Sequence, residues 1–111
     1  MEIRHSEKYN KDCLVVYSLG NFISNMKTAD TRGGAMVKVI LERDFLGKVK
    51  IKTANYSLVF TLQPDGINNY RVVPVESDAT KAMKWQCNQF VKNAESIFSK
   101  HNVNVKRESA K

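Results

Sequence analysis

Two cysteines in 111 residues, Cys13 and Cys87, are too few for a disulfide scaffold. Neither has a histidine or a second cysteine at zinc-ligand spacing, so both read as reduced, partly buried thiols. Histidine is equally scarce: His5 and His101 have no evident Ser or Cys partner in sequence for nucleophilic catalysis. The carboxylates do not form an acid–base pair either, since Glu42 and Asp44 flank a turn and Glu76 and Asp78 fall at a helix start, where acids suit the dipole. No run approaches the roughly 20 apolar residues of a membrane helix, and Met1–Asn10 is charged, without the apolar centre of a secretory signal. Internal repeats and low-complexity stretches are absent.

What is present is one domain's worth of chain with an apolar fraction of 42%, slightly low for a globular core. Net charge is +7, unevenly spread. Residues 38–52 carry five Lys and Arg against two acids, and residues 81–111 carry seven against two. This balance favours acidic partners: nucleic acid, an anionic polymer or an anionic membrane surface.

The pattern predicts an α+β fold of about five mostly antiparallel strands and one long C-terminal helix. Residues 1–11 read as a loosely held polar lead. Asp12–Leu19 reads as the first strand, with Leu14, Val15, Val16, Tyr17 and Leu19 apolar on both faces, as in a strand covered on both sides. Such a strand so early, with few residues before it, predicts a partial domain whose front half is missing. A long loop, residues 20–34, leads to a second strand at 35–43, with Ala35, Val37, Val39 and Leu41 on one face. A turn at Asp44–Lys48 is expected to form a hairpin, with Gly47 at positive φ. A third strand, 48–57, alternates Val49 and Ile51 against Lys48, Lys50 and Lys52. A fourth, 57–63, turns Leu58, Phe60 and Leu62 inward. After the turn Pro64-Asp-Gly66, a fifth strand at 69–75 ends at Pro74, which suggests an edge. From Ala82 the period becomes helical, through Met83, Cys87, Phe90, Val91, Ala94, Ile97 and Phe98. The helix is expected at 76–101, capped by Ser77 or Asp78, and a polar, basic tail at 102–111.

The string Val16-Tyr-Ser-Leu-Gly-Asn-Phe-Ile23 resembles the closing segment of CapA-type proteins of poly-γ-glutamate and capsule synthesis, which have a calcineurin-like metallophosphatase fold. The resemblance continues through Gly33–Leu41, Gly47–Ile51 and Tyr70–Pro74, and so covers most of residues 12–75. It implies a bacterial cell-envelope setting and, for the complete family, divalent metals held by Asp, Asn and His motifs upstream. The last of those motifs is a His-Pro-His-like segment, and nothing like it occurs here. No catalytic or metal-binding residue is therefore carried over, and no cofactor is expected on this chain. Tyr17, Ser18, Leu19, Gly20, Asn21 and Phe22 carry the motif as strand and turn.

Three further features each have two readings. Lys48, Lys50 and Lys52 could track a polyanion or form a solvated face, and no aromatic interleaves them as single-stranded nucleic acid would want. Thr31, Arg32, Gly33 and Gly34 could form a lid or phosphate cradle, or a flexible way into the second strand; the Lys-Ser/Thr of a P-loop is missing. Trp85 could mark an interface or pack over a sheet edge. The leading expectation is a non-catalytic C-terminal piece of a CapA-like protein that self-associates through uncovered strand or helix surface. The alternative is a free-standing basic module for nucleic acid or an acidic protein.

Overall fold

In the computed structural model, which describes residues 1–109, six strands form two sheets and pack against one long C-terminal helix. The strands are β1 (Glu2–Ser6), β2 (Lys11–Val15), β3 (Gly33–Arg43), β4 (Val49–Leu62), β5 (Arg71–Pro74) and β6 (Lys106–Arg107), and the helix is α1 (Lys84–His101). β1 and β2 make an antiparallel hairpin. The main sheet runs β3-β4-β5, antiparallel throughout, with β6 added in parallel to β4. The α+β class is the one the sequence predicts.

β4 is the spine. Its pairing with β3 shifts register between Ile40 and Leu41, so that Lys52 is an extra residue, facing neither Leu41, which pairs with Ile51, nor Ile40, which pairs with Thr53. This bulge changes which parity of β4 faces the core. Val49 and Ile51 lie on the inner face before it, and Ala54, Tyr56, Leu58, Phe60 and Leu62 lie there after it. The third and fourth strands expected from the sequence are thus one strand, and the change of parity at Lys52 is a bulge, not a break at Ser57.

The inner face is covered by α1 and by the β1–β2 hairpin. Cys87, Phe90 and Ala94 of α1 are buried, as their spacing predicts, while Ala82 and Ile97 are exposed. Phe60 stacks at a tilt on Phe90, and Tyr56 meets Phe98 edge-on, with ring centroids 6.2 and 4.9 Å apart. The helix is preceded by a 3-10 turn, Asp78–Met83, where the Ser77 hydroxyl accepts from the Ala79 N–H. Thr80 donates its hydroxyl back to the Ser77 carbonyl at 2.8 Å, reinforcing the tight i→i+3 pattern.

Both ends of the chain differ from expectation. The lead is a strand pair in which Met1 is buried and Ile3 packs on the core. Ile3 N–H donates to the Val103 carbonyl and Val103 N–H to that of Met1. In the tail Val105 is buried and β6 pairs with Asn55 and Tyr56; residues 110 and 111 of the expected tail lie outside the described residues. The first strand is also shorter than expected and, among the described residues, is paired only with β1. Leu14, Val15 and Val16 are half-buried, and Tyr17 is 72% exposed, so within this chain the segment is not covered on both sides.

Candidate functional site

The motif residues Tyr17 to Phe22 leave the hairpin and wrap around the β3 edge. Leu19 accepts from the Ala35 N–H at 2.7 Å, and Gly20 bridges to Gly34. Gly20 has φ +76°, a conformation that favours glycine. Asn21, next to the end of this segment, donates its amide to the Thr31 carbonyl at 2.8 Å, which closes the loop upon itself. The loop then crosses to the outer face, where the Thr61 hydroxyl donates to the Phe22 carbonyl at 2.8 Å. Its backbone is tied down, yet the side chains of Tyr17, Leu19, Phe22, Ile23 and Met26 are all exposed. They form an apolar ribbon on the surface.

Of Thr31 to Gly34, expected as a lid or flexible connection, Thr31 ends a short 3-10 turn (Ala29–Thr31), Arg32 links it to the sheet, and Gly33 and Gly34 begin β3. Arg32 is buried: its Nε donates to the Lys27 carbonyl, and its own carbonyl accepts from the Thr61 N–H. Gly33 and Gly34 open β3 and are buried. A Cβ on Gly33 would lie 2.3 Å from the Phe90 ring, and one on Gly34 would lie 2.6 Å from the Asn21 carbonyl oxygen. These glycines let the loop and helix approach the sheet closely.

Between this loop and the helix lies an open groove of about 610 Å³. Leu19, Gly20 and Gly33–Ala35 form one wall, and Phe90, Ala94, Ile97 and Phe98 the other. Ser18, Asp30, Asn93 and Ser96 supply its polar atoms, and Asn93 donates its amide to the Asp30 carboxylate at 2.5 Å. The groove is mostly apolar and holds no cluster of acid–base groups.

The lysine stripe is interrupted. Lys48 sits in the turn, where its N–H donates to the Asp44 carboxylate, Lys50 pairs with Glu42 at 3.5 Å, and Lys52 is the bulge residue. The three ammonium groups are therefore not an even row along one face. Trp85 is largely exposed. His5 lies 3.0 Å from the Asp12 carboxylate on the exposed hairpin. Among the described residues no three His, Cys, Asp or Glu side chains converge as metal ligands, and no helix is long and apolar enough to cross a membrane.

Two polar clusters escape sequence reading because their members are far apart in the chain. At the hairpin, Tyr17 donates its hydroxyl to the Glu2 carboxylate at 2.5 Å, which holds that carboxyl below its usual range and the phenol above its own; Arg4 also donates to Glu2. At the other end, Arg107 joins Glu76 at 2.8 Å and Glu95 at 3.2 Å, and the Tyr56 hydroxyl donates to Glu95. Burial, then the Glu95 charge, pushes the Tyr56 phenol up to about 12. This second cluster clamps β6 to the helix and to the chain that precedes it. No family model, curated protein or solved structure matches this chain.

Proposed function

We propose that this chain is the non-catalytic C-terminal segment of a CapA-type capsule or poly-γ-glutamate synthesis protein, in which it completes a metallophosphatase-like sandwich. The observation that carries this reading is the apolar ribbon of Tyr17, Leu19, Phe22, Ile23 and Met26. Tyr17, Leu19, Phe22 and Ile23, all within the CapA-like string, leave large apolar side chains in water while the loop backbone around them is fixed. A fixed backbone with uncovered side chains suits a surface that receives another part of a protein. The neighbouring groove extends that surface toward the helix.

On this reading the divalent metals of the complete family, and the chemistry they support, belong to residues supplied from outside this chain, in a bacterial cell envelope. The excess of positive charge favours contact with an anionic polymer, with Lys48, Lys50 and Lys52 as candidate points of contact, although they lack a common face.

The test is association with a CapA-type protein shortened to end before its own Tyr-Ser-Leu-Gly-Asn-Phe string. Gel filtration of the mixture is expected to yield a complex, lost on Phe22→Asp, a change at an exposed side chain. A mixture that elutes as two separate species would overturn the proposal.

A further inference from the structure

One edge of the main sheet is open. Among the described residues β3 pairs only with β4, and the loop bonds to its other side only at Gly34 and Ala35. Ala35 directs its N–H outward to Leu19, whereas Arg32 directs its carbonyl inward to Thr61. Alternation then turns the N–H and C=O of Val37, Val39 and Leu41 outward. Among the described residues, no backbone group from outside the sheet pairs with them. Met36, Val39, Ile40 and Leu41 are all exposed apolar residues on this strand. A long apolar edge with free backbone groups is a template for another strand.

We propose that this edge pairs with the same edge of a second copy, antiparallel and centred on Ile40, to give a two-fold symmetric dimer with a sheet continuous across both chains. Three features select this register. First, a two-fold axis normal to the sheet keeps each side chain on its own face, so the sum of paired residue numbers must be even. Second, centring on Ile40 places Val39 opposite the second copy's Leu41; both turn their backbone groups outward and can exchange two hydrogen bonds. Third, it places Lys38 opposite the second copy's Glu42, and Glu42 opposite its Lys38, so the charges nearest the axis are complementary. In the single chain Lys38 reaches Glu108 at 3.6 Å and Glu42 reaches Lys50 at 3.5 Å. These pairs are exposed, so exchanging them costs little.

The open edge begins where the Leu19–Phe22 loop leaves it, beside Met36 and Val37, but the dimer rests on the strand's own backbone and charges and stands or falls independently of the CapA reading. Sedimentation equilibrium over a range of concentrations tests it. Wild type is expected to dimerise. Leu41→Pro removes an outward N–H and no bond to β4; it is expected to abolish the dimer and leave the circular dichroism of the fold unchanged. Lys38→Glu alone and Glu42→Lys alone are each expected to weaken dimerisation about tenfold by placing like charges opposite one another, and the double reversal to restore it. Ile40→Cys in a Cys13→Ser background is expected to cross-link across the axis under mild oxidation, because opposed residues of a non-hydrogen-bonded pair fall within disulfide reach. A monomer at every concentration overturns the proposal. So does a dimer indifferent to Leu41→Pro, or one weakened by the single charge reversals and not rescued by the double.

Discussion

At the scale of single residues, the positions that matter most are those where a side chain is missing. Gly33 has the Phe90 ring where its Cβ would be. Gly33→Ala is therefore expected to destabilise the fold by about 1–3 kcal/mol, the usual range for overpacking, as read by urea denaturation. Gly66, at φ +86° with open space around it, is constrained by its backbone alone. Such differences are invisible in sequence: Thr31-Arg-Gly-Gly34 looks like a pliant connection because glycine has two uses, freedom and close approach. Only the position of Phe90, 57 residues away in the chain, decides which use applies. The same holds for Asn21, whose place after a glycine suggests a local turn, while its amide bonds ten residues on at Thr31.

At the scale of elements, β4 is unequal along its length. Leu58 is 0% exposed, and Val49, on the same face of the same strand, is 50% exposed. Leu58→Ala is expected to cost about 2–5 kcal/mol, and Val49→Ala about 0.5 kcal/mol or less, measured by the same unfolding titration. The helix was legible because eighteen residues of 3.6-period pattern outweigh any one exception, such as the exposed Ile97. Leu58, Phe60 and Leu62 were legible for the same reason with a period of two. The long strand was not, because the bulge at Lys52 inverts its alternation and makes one element look like two. β1 and β6 were missed because Met1 and Ile3, or Val103 and Val105, are too few to reveal a period. What holds them is pairing with distant segments: β1 with β2 and with Val103, and β6 with β4. The reverse error occurred at Tyr17 and Leu19, whose apolar character predicts burial that this chain alone does not supply.

At the scale of the whole molecule, Tyr56 makes stability sensitive to high pH. Burial, then the Glu95 charge, pushes its phenol from the usual 10 up to about 12 in the fold. Between those values the folded state keeps a proton that the unfolded state has lost, so stability declines as pH rises from about 10 to 12 and is complete below about 10. The thiol of Cys87, raised by burial, adds a decline of the same sign above its usual value of 9.0. Thermal melts of Tyr56→Phe are expected to show a shallower decline than wild type over that alkaline window. The molecule is also elongated, 54 by 28 by 21 Å, and the turn between β3 and β4 carries a Phe45 that is 97% exposed. From that tip β4 runs without interruption to Leu62, which is buried beside the helix-covered residues Leu58 and Phe60. It acts as a strut: a load applied at the tip reaches the interior through one covalent backbone, with no loop on the way to absorb it.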